Sequence, residues 1–165
     1  MDSQATKQER SDLRGPFWDM IEGRAPLPPI SAMLGFKLVR IDPAKGTMDA
    51  EFTVDPRFLN AGGMVQGGII TGMLDDTMSY AATAHLDAMV PTLEVKVTFI
   101  RPGRTSPLLG SGKVVHRGRE FVFLEGSLKD RDDRLIATAT ATARILKFSE
   151  LEAARQGAER RSNTN

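Results

Sequence analysis

The chain has 165 residues, of which 41% are hydrophobic and 26% are charged, and this balance predicts one globular domain with a substantial apolar core. Its net charge of +1 gives no electrostatic basis for binding nucleic acid or an acidic membrane surface. The absence of cysteine excludes disulfides, thiolate metal sites and a cysteine nucleophile.

The N-terminal part is predicted to contain short helical pieces before the strands begin. Residues 1–14 are polar and charged, carry no secretory signal and are expected to be loose. Residues 17–21 indicate one short helical turn, and residues 30–34 indicate a second that stops at Gly35. No apolar run approaches the length of a membrane span. We therefore expect a cytoplasmic protein, without a membrane partner, in which residues 1–33 form an N-terminal extension.

Alternation of apolar and polar residues predicts six β-strands in the rest of the chain. The strand candidates are residues 36–41, 47–54, 92–100, 108–116, 120–128 and 135–146. The first two form a predicted hairpin, and the last four follow one another through short turns as an antiparallel meander. Residues 147–165 are expected to form a C-terminal tail.

A glycine-rich loop followed by a long helix separates the two groups of strands. Gly62, Gly63, Gly67 and Gly68 allow the backbone to turn tightly and to approach a ligand closely. The helix has an apolar stripe at three- and four-residue steps, made of Ile70, Met73, Thr77, Tyr80 and Ala84. Its other sides are also mostly apolar or small, which is typical of a buried helix. The predicted class is therefore α+β, with a curved antiparallel sheet wrapped around one central helix.

Two adjacent carboxylates, Asp75 and Asp76, lie inside this helix. Burying a carboxylate is unfavourable unless it is paired or hydrogen-bonded, so each needs solvent or a neighbouring hydroxyl. At the helical angle, Asp75 falls opposite the apolar stripe beside Ser79, and Asp76 falls near the edge of the stripe. Adjacent residues do not face each other, so the two do not form a carboxylate dyad. One sheet leaves part of the helix uncovered, including Asp75, so we expect a homodimer or a homotetramer.

The loop and the helix carry a pattern with fixed spacing. Asn60, Gly63, Gly67 and Gly68 are followed by Asp75, which lies nine residues after Gln66. This pattern resembles the PaaI-like acyl-CoA thioesterases of the hotdog fold, whose loop Asn-x-x-Gly-x-x-His-Gly-Gly precedes a catalytic carboxylate nine residues after the histidine. The resemblance covers about residues 34–146, the predicted thioesterase domain. Gln66 stands where the family usually has histidine.

Two further segments support the same resemblance. The strand from Thr92 to Phe99, followed by Ile-Arg-Pro, is similar to a later strand of the family, and His116–Arg119 is similar to its basic glycine turn. The resemblance implies an enzyme that hydrolyses the thioester of a small or medium acyl- or aryl-CoA. Coenzyme A would be part of the substrate, and no other cofactor is expected. The predicted catalytic residues are Asp75, Gly67, Asn60, Gln66 and Thr92.

Each predicted catalytic residue has a chemical role. The Gly67 N–H, at the start of the helix, would polarise the thioester carbonyl, and a glycine there admits the carbonyl without a side-chain clash. Gln66 and Asn60 would help to position the carbonyl. Asp75 of the partner subunit would be the general base or the nucleophile, two roles that the sequence leaves open. Thr92 would orient the attacking water or the carboxylate.

Six more residues are predicted to bind substrate. Met64 lies in the loop and can adapt to varied acyl shapes, and arginine side chains in two loops suit the phosphates of coenzyme A. These substrate-binding residues are Gly68, Met64, Arg101, Arg104, Arg117 and Arg119. No cluster of His, Asp and Glu has the spacing of a metal site, so no metal is expected.

Two other functions remain open at this point. Because glutamine cannot titrate, the chain could be a non-catalytic acyl-CoA binding module or sensor on the same fold. A hotdog enoyl-CoA hydratase would need a histidine near a carboxylate in the active site. His85 lies at the far end of the helix and His116 lies at a turn, so the hydratase is the weakest alternative.

Overall fold

A computed structural model describes residues 15–104 and 107–148, and the predictions for residues 1–14 and 149–165 lie outside these ranges. The helices are α1 (Pro16–Ile21), α2 (Pro29–Met33) and α3 (Gly67–Leu86), and a 3-10 turn spans Pro56–Phe58. The strands are β1 (Phe36–Asp42), β2 (Thr47–Phe52), β3 (Ala88–Met89), β4 (Thr92–Phe99), β5 (Leu108–Arg117), β6 (Phe121–Lys129), β7 (Leu135–Arg144) and β8 (Leu146–Lys147).

Six of the strands form one antiparallel sheet that packs on α3, as the α+β prediction requires. The helix lies close to the sheet because the strands beneath it carry glycines. A Cβ added to Gly112 would lie 2.7 Å from the Thr77 carbonyl oxygen, and one added to Gly126 would lie 2.9 Å from Met78 Cγ. Met73, Leu74 and Met78 are fully buried against this surface. The methionines on this side of the helix are therefore core residues.

The order of the strands differs from the predicted meander. The sheet has the order β1-β2-β5-β6-β7-β4, so only β5, β6 and β7 form a meander, and β4 is added beside β7 at the edge. The chain leaves β4, passes the glycine loop and enters the sheet again at β5. During this crossing the Val65 N–H donates to the Gly103 carbonyl at 2.8 Å. Alternation of residues indicates that a strand exists, but it carries no information about which neighbour the strand pairs with.

The N-terminal helices cover one side of α3 that the sheet leaves open. The rings of Phe17 and Phe36 meet the ring of Tyr80 edge-on, with centroids 6.0 and 5.4 Å apart. Leu34 packs on Gly72, where an added Cβ would lie 3.5 Å from Leu Cδ1. The described part of the N-terminal extension thus shares the core of the sheet and helix. The boundaries predicted at residues 33 and 146 stay predictions.

The strand β4 is an open edge of the sheet. It pairs with β7 on one side, and its other side carries no strand within the described residues. Large apolar side chains lie exposed at both of its ends: Leu93 is 59% exposed and Phe99 is 53% exposed. An edge strand with exposed apolar residues is a natural surface for pairing with a second chain.

Candidate active site

The glycine loop is shaped by hydrogen bonds to Asn60. Its side-chain Oδ1 accepts from the N–H groups of Gly62 and Met64, at 2.9 and 3.3 Å, and its carbonyl accepts from Gly63 N–H at 2.9 Å. Gly63 has a φ of +69°, a conformation that favours glycine. Asn60 therefore holds the loop, and Met64 lies half-buried inside it.

The first turn of α3 presents two backbone donors that have no acceptor. Gln66 is the N-cap residue, with its own N–H bonded to the Phe58 carbonyl at 2.8 Å, and its exposed side chain makes no capping hydrogen bond. Among residues 15–104 and 107–148, nothing accepts from the N–H of Gly67 or of Gly68. Unpaired N–H groups at the start of a helix attract negative charge. The pair can thus stabilise an oxygen on which charge develops.

The glycines at 67 and 68 differ in what surrounds them. An added Cβ at Gly67 would lie 3.1 Å from Phe99 Cζ, whereas an added Cβ at Gly68 would meet nothing within 4 Å. A side chain at Gly67 would therefore press on the Phe99 ring and displace it by a few tenths of an ångström, a contact that sequence reasoning missed. No residue near Phe99 in the sequence indicates this contact, because it depends on how β4 packs beside the helix.

The Asp75 carboxylate lies at the other end of β4. The Thr92 hydroxyl donates to Asp75 Oδ1 at 2.7 Å, and the Ser79 hydroxyl lies 3.5 Å from the Thr92 hydroxyl. This bond occupies Oδ1 and leaves the second carboxylate oxygen without a hydrogen bond to Thr92. The structure therefore brings Asp75, Thr92 and Ser79 together, half-buried, on one side of α3.

The neighbouring carboxylate, Asp76, lies on the opposite side, beneath the N-terminal helices. Ser31 hydrogen-bonds to it and also shares a 2.7 Å hydrogen bond with the Tyr80 hydroxyl. Its Oδ2 is buried and has no partner among the described residues. Burial raises the pKa of Asp76 to about 6, the Ser31 hydrogen bond lowers it, and the charge of Asp75 raises it further. Sequence reasoning missed this cluster because Ser31 is far from Asp76 in the chain.

The predicted donors and the predicted carboxylate are not adjacent within one chain. Gly67 and Asp75 are separated by eight helical residues, which corresponds to about 12 Å at 1.5 Å per residue. Their strand contacts, Phe99 and Thr92, lie at opposite ends of β4. One chain therefore holds the two parts of the predicted site apart. We call Gly67 and Gly68 with Phe99 the Gly67 half-site, and Asp75 with Thr92 and Ser79 the Asp75 half-site.

The four predicted arginines also divide between the two ends of the sheet. Arg101 and Arg104 follow β4, near the glycine loop, and the Arg101 guanidinium donates to the Leu135 carbonyl at 3.1 Å. Arg117 and Arg119 lie at the β5–β6 turn, at the end of the sheet where β4 begins. All four are exposed. Arg101 and Arg104 therefore lie at the same end of the sheet as the Gly67 half-site. Arg117 and Arg119 lie at the same end as the Asp75 half-site.

Neither histidine belongs to either half-site. His85 Nδ1 is hydrogen-bonded to the Pro43 carbonyl at 2.7 Å, and the ring of His116 packs against that of Phe123 at 6.1 Å. Within the described ranges no group of three or more His, Cys, Asp or Glu could hold a metal ion. No helix in the same part of the chain is long and apolar enough to cross a membrane.

Similar proteins share both the sequence and the fold. Residues 62–137 match the family model of the thioesterase superfamily. A "Putative esterase" of Saccharolobus solfataricus is 33% identical over 119 residues, which cover 72% of this chain and 84% of that protein.

Solved structures give the same result. A "putative thioesterase, phenylacetic acid degradation-related protein" from Ralstonia eutropha JMP134 is 35% identical with a TM-score of 0.74, covering 79% of this chain and 99% of that one. A Streptococcus mutans UA159 protein, solved bound to acetyl CoA, shares the fold with a TM-score of 0.63 at 23% identity, covering 68% of this chain and 89% of that one. The predicted fold and family are thereby confirmed. The chain belongs to the thioesterase superfamily and is a PaaI-like hydrolase with the hotdog fold.

Proposed function

We propose that the protein hydrolyses small or medium acyl- or aryl-CoA thioesters in an active site shared by two copies of the chain. The observation that carries this proposal is the position of the two half-sites at opposite ends of the edge strand β4. The unpaired N–H groups of Gly67 and Gly68 lie beside Phe99, and the Asp75 carboxylate is bonded to Thr92. Gly67 and Asp75 lie about 12 Å apart along α3, and their strand contacts Phe99 and Thr92 lie about 23 Å apart along β4.

A two-fold symmetric dimer would join the half-sites. If two β4 strands pair antiparallel about their middle, near Val95 and Lys96, Phe99 of one copy lies beside Thr92 of the other. The glycine amides of one chain then face the carboxylate of its partner. The same pairing would cover the exposed Leu93 and the open edge of the sheet. It would also bring the two pairs of arginines to one site.

The chemistry requires two groups acting on opposite sides of the thioester. The N–H groups of Gly67 and Gly68 bind the carbonyl oxygen and stabilise its negative charge in the tetrahedral intermediate. As a general base, Asp75 takes a proton from water, and the resulting hydroxide adds to the carbonyl carbon. The C–S bond then breaks, and the coenzyme A thiolate leaves with that proton. As a nucleophile, Asp75 would add to the carbon itself, and the C–S bond would break as the coenzyme A thiolate leaves, giving an anhydride. Water would then hydrolyse the anhydride to the free acid and the Asp75 carboxylate, and its remaining proton would neutralise the thiolate.

The surrounding residues have supporting roles in this proposal. Thr92 holds the Asp75 carboxylate by its 2.7 Å hydrogen bond. The side chain of Gln66 can donate to the carbonyl, and Asn60 holds the loop that presents the helix. Exposed arginines at each half-site suit the phosphates of coenzyme A. The acetyl CoA bound to the S. mutans relative supports this class of substrate.

Free-thiol release from a panel of aliphatic and aryl acyl-CoAs tests this function. We expect turnover of at least one class without added metal or cofactor. Tight binding of acyl-CoA with no thiol release would identify a non-catalytic binding module instead, as the glutamine at position 66 allows. If the protein neither binds nor hydrolyses any acyl-CoA of the panel, the proposal is wrong. Hydration of an enoyl-CoA, measured by loss of its conjugated absorbance, would indicate the hydratase.

A further inference from the structure

The ring of Phe99 is the side chain that a Cβ added to Gly67, at the start of α3, would meet. Its Cζ lies 3.1 Å from the position of a Cβ on Gly67, and its Cε atoms lie 3.5 and 3.6 Å from that position. The tip of the ring therefore points at the Gly67 backbone. The side chain is nevertheless 53% exposed in the single chain, so about half of its surface stays accessible to a ligand or a partner chain.

The two glycines show from which side a substrate can approach. At Gly67 the Phe99 ring lies 3.1 Å from the position of an added Cβ, so the ring limits the space on that side. At Gly68 nothing in residues 15–104 and 107–148, apart from the adjoining backbone of the helix, lies within 4 Å of an added Cβ. A carbonyl that reaches the two N–H groups must therefore approach on the Gly68 side. The acyl group attached to that carbonyl is then confined on the Gly67 side by an aromatic wall.

We propose that Phe99 is a specificity-determining residue, whose ring forms the wall of the acyl pocket beside the Gly67 amide and limits the size of the acyl group. This inference rests on the proposed function, because it takes the two glycine amides as the carbonyl-binding site. A phenyl ring offers a rigid apolar surface that small acyl groups can contact and larger ones cannot displace. Shortening the side chain would open this wall and leave the amides and Asp75 in place.

The selectivity between short and long acyl chains measures this role. We expect Phe99→Ala to change the ratio of kcat/KM for long over short acyl-CoAs by about tenfold or more in favour of the long chains, the scale expected for an apolar pocket contact. The change in KM for short acyl-CoAs should exceed the change in kcat, because the wall contacts the acyl group before and during the reaction. Phe99→Leu should give a smaller shift in the same direction. It replaces Phe99→Ala as the test variant if the alanine variant does not fold.

Phe123→Ala is the matched control. This phenylalanine is 44% exposed, packs on His116 and lies on the face of β6 opposite the buried Val122 and Leu124, so its loss should leave the ratio unchanged. An equal shift in the control, or no shift beyond about twofold in a folded and active Phe99→Ala, would overturn the inference.

A second measurement separates the failure of this inference from the failure of the proposed function. If wild type releases no thiol, the dissociation constants of short and long acyl-CoAs are measured by calorimetry for wild type and Phe99→Ala. A shift in the ratio of these dissociation constants supports the proposed role of Phe99 in limiting acyl size, even though hydrolysis is absent. An unchanged ratio, or no binding of any acyl-CoA, overturns it.

Gly67→Ala provides an independent check of the contact itself. The added methyl group would meet the ring at 3.1 Å, so this variant should lower the melting temperature and the activity. Combining Gly67→Ala with Phe99→Leu should recover part of the melting temperature, a coupling that two independent positions do not show. Strict additivity of the two changes would show that the ring does not lie against Gly67 in solution.

Discussion

The two sides of the central helix hold adjacent carboxylates in opposite surroundings. Asp75 faces the open edge of the sheet, where the Thr92 hydroxyl donates to it at 2.7 Å. Asp76 faces the N-terminal helices, where Ser31 bonds to it and one of its oxygens is buried with no partner among the residues that the structure describes. The two aspartates are adjacent in the sequence, and the fold gives them different burial and different hydrogen-bond partners.

The difference shows that burial alone does not identify the reactive carboxylate. The pKa of Asp76 is raised to about 6, chiefly because its side chain is buried, so protonation relieves an unfavourable charge. Asp75 is partly accessible and hydrogen-bonded, and it lies on the side of the helix that a partner chain can cover. A search for the most perturbed carboxyl would select Asp76, whereas the geometry of the edge strand selects Asp75.

The largest expected effect is on activity and comes from replacing Asp75, with the same replacement at Asp76 as the control. Asp75→Asn should reduce kcat by about a hundredfold or more, because it removes the proposed base or nucleophile. Asp76→Asn is the matched control and should stay within about threefold of wild type. Thiol release under saturating acyl-CoA measures both. A large loss confined to Asp76→Asn would show that the helix sides have been assigned the wrong roles.

The second effect is on stability and concerns the Asp76 side. An aspartate pKa of 3.8 in the unfolded chain and of about 6 in the folded chain means that the folded state holds a proton that the unfolded state has lost. The contribution of Asp76 to stability should therefore fall by about 2 to 3 kcal/mol as the pH rises from about 4 to about 6, and then level off. Urea unfolding monitored by the fluorescence of Trp18, the one tryptophan of the chain, measures it.

Asp76→Asn is again the informative variant for this pH dependence. The other carboxyls titrate equally in both proteins, so the difference between the two curves isolates Asp76. We expect the variant to gain stability over wild type above pH 6 and to lose the advantage near pH 4. Parallel curves would mean that Asp76 is not buried in the folded protein.

A smaller effect on activity is expected from replacing Thr92, whose hydroxyl donates a hydrogen bond to Asp75. Thr92→Val keeps the shape of the side chain and removes the hydroxyl that donates to Oδ1. A hydrogen bond to a charged group contributes about 1.5 to 3 kcal/mol, so we expect kcat to fall by about tenfold to a hundredfold. Thr92→Ser should restore most of the rate. Equal rates in all three proteins would show that Thr92 does not hold the carboxylate in the reacting complex.

The smallest effect concerns the hydroxyl pair above Asp76. Tyr80→Phe removes the 2.7 Å hydrogen bond with Ser31 and leaves the ring contacts of Phe17 and Phe36 intact. We expect a destabilisation of about 1 kcal/mol with unchanged thiol release. A stability equal to that of wild type would indicate that Ser31 bonds only to Asp76.

Much of this architecture could be predicted from local patterns. Alternation located all six strands of the main sheet, and three- and four-residue steps located α3, because both patterns reflect which side of an element is buried. The same helical geometry put Asp75 beside Ser79. Two-residue strands such as β3 and β8 are too short to produce a pattern.

The contacts that define the sites required the fold. The position of β4 beside β7 is not encoded in its alternation, so neither the open edge nor the contact of Phe99 with Gly67 followed from the sequence. The contact between Ser31 and Asp76 joins segments 45 positions apart and depends on how α2 docks. The pairing of Asp75 with Thr92 was anticipated through a family resemblance, and the roles of both residues stay predictions.

The central claim is that each active site combines the glycine amides of one chain with Asp75 of another. Mixing subunits of two inactive variants, Asp75→Asn and Gly68→Val, tests it directly. Gly68 has open space around it, so its variant should fold and only obstruct the amides. With random exchange, half of the dimers are mixed and each mixed dimer has one intact site, so thiol release should return to about a quarter of wild type. Mixing Asp75→Asn with an Asp75→Asn/Gly68→Val double variant should restore nothing. No recovery in the first mixture, despite demonstrated subunit exchange, would contradict a shared site.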